Sequence, residues 1–249
     1  MGSMVERMFA LLIVVIGFVT NLAIGEQTHF PNSDRYDVHP PFQYATKATI
    51  VNAIGLIGAA GVQSLREGAF FVATTAQIGQ CGAAAVFSEA VYLPAAGLVK
   101  VRVDMRMASF TSSLGLQVGG ATVQAVPLIN GQTLEPVFLN SNPSESALRS
   151  ALTVFLTGVG LGPATSLNNL MEAVKLVDAA YDTYQVIDAI NQIDRAWGFK
   201  HRVVHFTFQA PRAGWYRVGI GIEATTFALG TCISTAIAVG FVDKILINY

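Results

Sequence analysis

The most regular hydrophobic pattern in the chain lies between Val99 and Met107. Every second residue there is apolar, and the residues between them are charged: Lys100, Arg102, Asp104 and Arg106. Successive side chains of a strand point to opposite faces, so one face of this segment is apolar and the other is charged. The pattern predicts a half-buried antiparallel strand.

Other short β-rich runs, separated by Gly, Pro, Ser and Asn, precede and follow this segment. They lie at 70–75, 85–93, 114–126, 134–139, 204–208, 216–222, 232–239 and 242–247. Such spacing is typical of an antiparallel sheet. The apolar, charge-free segment 48–65 contains three glycines, which disfavour a helix, and its pattern fits either a helix or a strand.

The hydrophobic period lengthens from two residues to between three and four within residues 143–197. Asn142, Pro143 and Glu145 have the order of a helix start, and Ser166 is placed to cap a second, longer helix that ends near Trp197. A short loop between two helices makes them antiparallel neighbours. The sequence therefore predicts a mainly β protein, with an antiparallel, jelly-roll-like β-sandwich over residues 47–249 and an inserted α-helical hairpin at about 143–197.

The first 25 residues have the form of a signal peptide. A charge-free apolar run extends from Met8 to Gly25 and ends with small residues immediately before Glu26, which predicts cleavage after Gly25. The alternative is an uncleaved anchor, because 18 apolar residues are close to the minimum for spanning a bilayer. Either interpretation makes the protein secreted or attached to the cell surface. The polar, Pro-containing residues 26–46 are expected to form an extended N-terminal arm.

The composition narrows the range of partners. Charged residues make up 12% of the chain, hydrophobic residues 52%, and the net charge is −1. No run or stripe of Lys and Arg is present, so nucleic-acid binding is not expected. The low charge combined with the high apolar content favours burial beyond a monomer core, by self-association, contact with a cell-surface partner or contact with a membrane.

One short motif occurs twice. Pro94-Ala95-Ala96-Gly97 and Pro211-Arg212-Ala213-Gly214 each lead into a strand with alternating apolar residues. Proline ends one strand and glycine makes the turn into the next. The motif resembles the corner found in secreted jelly-roll and carbohydrate-binding-type β-sandwich domains. The resemblance implies the sandwich fold and says little about a ligand.

The second corner leads into the main candidate ligand site. Trp215, Arg217 and Glu223 would share one strand face with Gly219 and Gly221. Trp215 could stack on a sugar ring while Arg217 and Glu223 bind its hydroxyl groups. The alternative, which we favour from the sequence, is that the glycines allow the helical hairpin to pack on this face and bury Trp215.

Two further groups of residues suggest sites. Asn32, Asp34 and Asp37 offer oxygen ligands for Ca²⁺, although their spacing is irregular, and no other cofactor is expected. Cys81 and Cys232 are the only cysteines, and in an exported chain they are expected to form a disulfide. The alternative is that they are two buried free thiols.

The sequence contains no recognisable catalytic motif, so an enzyme is not expected. Three classes of function remain open. The favoured one is an exported structural or interaction protein of the cell surface that self-assembles through its β-sandwich. The alternatives are a carbohydrate-binding module and a membrane-inserting or pore-forming protein.

Overall fold

The computed structural model describes residues 27–29, 34–114, 119–140, 145–161, 170–180, 182–229 and 232–249. These residues contain strands β1 (Gln27–His29), β2 (Arg35–Val38), β3 (Tyr44–Ser64), β4 (Ala69–Leu93), β5 (Gly97–Leu114), β6 (Gly119–Ile129), β7 (Gln132–Thr133), β8 (Val137–Phe138), β9 (Lys200–Ala210), β10 (Gly214–Ala228) and β11 (Ile233–Asn248). The helices are α1 (Glu145–Gly158), α2 (Leu170–Leu176), a 3₁₀ turn (Val177–Ala179) and α3 (Thr183–Trp197).

The strands form one antiparallel sheet that divides into two limbs at β4. Along one side of β4, residues 69–76 pair with β11 and residues 79–93 pair with β10. Strand β3 pairs along the other side of β4. One limb continues from β11 to β5 and β9, with β2 beside the end of β11, and the other continues from β10 to β6. This order places strands that are distant in the chain side by side.

The sheet curls so that inward side chains from both limbs meet in one core. The predicted alternation of β5 is confirmed, since Val99, Val101, Val103, Met105 and Met107 are all buried there. The core also takes the inward side chains of β10 and β11. The opposite face of β5 is not wholly exposed, because Asp104 is buried between Arg102 and Lys244, at 2.7 and 3.5 Å.

The structure confirms the mainly β, antiparallel architecture. A closed sandwich or a jelly roll is not confirmed, because the strands belong to a single open sheet that curls like half of a barrel. The ambiguous segment 48–65 is extended, since residues 44–64 form β3, and Gly58 and Gly61 within it pair with β4.

The described part of the expected N-terminal arm is joined to the sheet. Strand β2 pairs with β11, and Tyr36 and Val38 point into the core. Phe42 is also fully buried. Prolines and polar residues dominate this segment in the sequence, but these three apolar side chains hold it against the sheet, because burying each one removes apolar surface from water.

The inserted segment is helical as expected, but its second helix is interrupted. Ala180 has an extended backbone, and α3 begins after Asp182, whose carboxylate accepts hydrogen bonds from the N–H groups of Tyr184 and Gln185 at 2.8 and 3.1 Å. A new N-cap therefore starts a new helix. The expected helix-start residues Asn142, Pro143 and Ser166 lie outside the described residues.

The helices cover the outward face of the sheet where β3, β4, β5 and β11 meet. Phe71 of β4 stacks on Phe155 of α1 with ring centroids 4.0 Å apart. Ala59, Ala73 and Ile237 belong to the same buried cluster. This second core leaves the outward face of β10 outside the helical layer.

Candidate binding surface

Trp215 lies near the start of β10 and points away from the core, since its neighbour Tyr216 points inward. It is 68% exposed, a large fraction for the largest apolar side chain. Tyr92 of β4 is its cross-strand partner, with the two rings edge to face and their centroids 5.7 Å apart. The two strands therefore hold a pair of aromatic rings at the surface.

Arg217 extends this surface toward β3. Its guanidinium carbon lies 3.6 Å from the centroid of the Tyr44 ring, which is cation–π geometry. Its backbone N–H donates to the side-chain oxygen of Asn130 at 2.8 Å. Trp215, Tyr92, Arg217 and Tyr44 together are called the aromatic patch below.

The expectation that the helical hairpin buries Trp215 is wrong. The close approach between a helix and a glycine occurs at Gly61 of β3, where an added Cβ would overlap the carbonyl oxygen of Val174 in α2. Gly219 is instead required by the neighbouring strand, because its Cβ would lie 2.6 Å from that of Ser88. The helices bury their apolar faces on the half of the sheet that carries Phe71, Ala73 and Ile237.

Glu223 does not join the aromatic patch, because it is 2% exposed. One carboxylate oxygen accepts a hydrogen bond from the Gln124 amide at 2.7 Å, and the other is buried with no hydrogen-bond partner among the described residues. Burial raises the pKa of this carboxyl, and the bond from Gln124 only partly opposes that rise. The three residues suggested for sugar binding therefore separate into an exposed pair and a buried acid.

Two of the three residues suggested for Ca²⁺, Asp34 and Asp37, lie in the described part of the chain. Asp34 is exposed, and the Asp37 carboxylate is already near two basic groups, Arg35 at 3.5 Å and His39 at 3.0 Å. Asn32 lies outside the described residues. Within those residues, no group of three His, Cys, Asp or Glu side chains is placed to hold a metal ion.

Cys81 and Cys232 are free, buried thiols in the structure, so the expected disulfide is not formed there. Both lie in one small apolar cluster with Ala76 and Ala228, where β4 changes partner from β10 to β11. Burial raises the pKa of the Cys81 thiol to about 11. The thiol form, which is unreactive, therefore dominates at neutral pH.

The sequence did not single out Tyr92 and Tyr44. The signal for Tyr92 was the repeated corner, because the two copies turn out to lie side by side: Leu93 pairs with Gly214, and Gly97 pairs with Ala210. Because the two corners are neighbours, Tyr92, just before the first corner, pairs with Trp215, just after the second. Tyr44 carried no such signal, since its position depends on the pairing of β3 with β4.

Among the described residues, no helix has both the length and the apolar character needed to cross a membrane. Neither the protein-family models nor the curated proteins include a match to this sequence.

Proposed function

We propose that this chain is an exported interaction protein of the cell surface, and that polysaccharide is the ligand of its aromatic patch. The observation that carries the proposal is the 68% exposure of Trp215 on a paired strand, with Tyr92 against its ring. Export follows from the apolar run and small-residue ending of residues 8–25. The two Pro-x-Ala-Gly corners resemble those of secreted β-sandwich domains, so we also propose that the curled sheet is arranged like a sandwich.

The chemistry of the aromatic patch suits a sugar. The apolar face of a pyranose stacks on an indole ring, and the Arg217 guanidinium supplies donors for hydroxyl groups. Trp215 and Tyr92 lie on neighbouring strands, so little conformational entropy is lost when a ligand binds. Glu223 takes no part in this contact because it is buried.

A second candidate ligand is another copy of the chain. Trp, Tyr and Arg are the residues that contribute most to the binding energy of protein interfaces, and the aromatic patch contains all three. The low content of charged residues, 12% of the chain, also favours association. Self-assembly through the aromatic patch would make the protein a structural component of the surface.

The test compares Trp215→Ala with the wild type on insoluble cellulose, chitin and xylan. Tyr184→Ala is the matched control, because Tyr184 is an aromatic residue on α3 that is 83% exposed and lies outside the aromatic patch. We expect the wild type and the control to be retained and Trp215→Ala to be lost. Its free energy of unfolding should fall by no more than about 0.5–1.5 kcal/mol, the value of one aromatic pair.

Sedimentation velocity of the same three proteins tests the second candidate. Wild-type oligomers that Trp215→Ala converts to monomers, without polysaccharide retention, would favour self-assembly over sugar binding. Equal retention and equal mass for all three proteins would refute a role for the aromatic patch.

A further inference from the structure

A second surface feature lies on the other limb of the sheet. Strands β2, β11, β5 and β9 run side by side, and their outward side chains surround a pocket of about 330 Å³. The register pairs Asn248 with both Arg35 and Lys100, and it pairs Arg102 with both Leu246 and His205. These six side chains come from four strands, and they line the pocket.

The lining of the pocket is strongly basic. Arg35, Lys100 and Arg102 contribute three positively charged side chains. No Asp or Glu is among the lining residues. Asp37 lies 3.5 Å from a terminal nitrogen of Arg35 and Asp104 lies 2.7 Å from the Nε of Arg102, so two carboxylates just outside the lining offset part of this charge. The charge of Lys100 is not offset by any described carboxylate, so the pocket keeps a local positive potential in a chain with a net charge of −1.

Two of these cations keep N–H donors that are not bonded to any carboxylate of the described residues. Lys100 is exposed and forms no ion pair with a described residue. The Nε of Arg102 donates to Asp104 at 2.7 Å, and no described carboxylate pairs with its two terminal nitrogens. Asp104 is itself buried and is paired with Lys244 as well, so this one carboxylate holds Arg102 in place and offsets only part of the charge of the two cations.

We propose that this pocket binds a small ligand through a phosphate monoester group. The terminal nitrogens of Arg102 suit the oxygens of a phosphate, and Arg35 and Lys100 contribute further N–H donors. The volume is at the small end of the range for ligand sites, which suits one phosphate with a small organic body. Leu246 and the Asn248 amide offer apolar and polar contacts for that body.

The first test is calorimetric titration with inorganic phosphate at low ionic strength. We expect saturable binding that Lys100→Gln weakens by about 10- to 100-fold, the effect of losing one hydrogen bond to a charged group. Lys200→Gln is the control, because Lys200 is an exposed lysine on β9 outside the pocket, and its loss changes the net charge equally. Equal weakening by both substitutions, or no saturation below about 10 mM phosphate, would overturn the proposal.

A second variant distinguishes a site with defined hydrogen-bond geometry from general attraction of anions by positive charge. Arg102→Lys keeps the charge but removes the planar fork, so a phosphate site should lose affinity while general attraction would not. Unchanged affinity in Arg102→Lys would overturn the fork-based assignment. Melting temperatures of all variants, compared with the wild type, check that each is folded.

The phosphate group could belong to a soluble ester or to a lipid headgroup. Glucose 6-phosphate in the calorimeter tests the soluble source. Flotation with phosphatidylcholine vesicles, with and without phosphatidic acid, tests the lipid source. Binding in either experiment supports the proposal and identifies the source if Lys100→Gln reduces it and Lys200→Gln preserves it. The absence of binding from both experiments would refute a phosphate monoester as the ligand.

Discussion

The contact between α2 and β3 makes a specific prediction about Gly61. A Cβ added at this position would overlap the carbonyl oxygen of Val174 and lie 2.9 Å from the Cβ of Val177. The carbonyl oxygen belongs to the backbone of α2, and Val177 is fully buried, so no side-chain rotation makes room. Replacing Gly61 with Ala should therefore push α2 and the 3₁₀ turn away from the sheet.

The same region carries hydrogen bonds that this movement would strain. The Gln63 amide donates to the carbonyl oxygens of Val177 and Ala180 at 2.7 and 3.0 Å, and the Val62 N–H donates to Asp178 at 3.0 Å. Overpacking a core costs about 1–3 kcal/mol, and each weakened hydrogen bond adds up to about 1 kcal/mol. Alanine is better than glycine in a strand by about 0.5–1 kcal/mol, which offsets part of the loss. We expect a net loss of about 2 kcal/mol.

Urea unfolding at 25 °C, followed by circular dichroism, measures this loss. Gly120→Ala is the matched control, because Gly120 also lies in a strand and an added Cβ there meets nothing within 4 Å. The control should raise the free energy of unfolding by about 0.5–1 kcal/mol, the advantage of alanine over glycine in a strand. In a chain of this size, the expected loss for Gly61→Ala corresponds to a melting temperature about 4–8 °C lower. Equal stability of the two variants would refute the close packing of α2 on β3.

Three further predictions concern buried groups and export. The raised pKa of Glu223 means that the wild type loses stability as the pH rises through that pKa. Glu223→Gln should therefore have a higher free energy of unfolding than the wild type in urea at pH 7, by about 1.4 kcal/mol for each pH unit by which folding raises the pKa. The advantage should vanish below about pH 4, and equal stability at both pH values would contradict it. Cys81 and Cys232 should resist iodoacetamide in the folded protein, and both should react after unfolding without reductant, as measured by mass spectrometry. A mass that iodoacetamide leaves unchanged after unfolding would indicate a disulfide instead. N-terminal sequencing of the exported protein should begin at or near Glu26, whereas an intact Met1 in a soluble extracellular fraction would argue against cleavage.

Local patterns were sufficient where the physical cause is local. The alternation from Val99 to Met107 determined which face of β5 enters the core, because the side-chain period of a strand is two. The change of period likewise predicted helices between residues 143 and 197. The repeated Pro-x-Ala-Gly corners predicted turns into β5 and β10, because proline and glycine act on the backbone at their own positions.

The tertiary structure decided every feature that depends on which elements become neighbours. Trp215 is exposed because the helices cover the half of the sheet that carries Phe71 and leave the outward face of β10 uncovered. Both faces have apolar or glycine positions in the sequence, so the sequence did not show which one the helices would cover. Asp104 is buried because Lys244 of another strand joins Arg102 beside it. The basic pocket exists only because β2 and β5 pair with the same strand, β11, and strand order follows from long-range packing that no local pattern encodes.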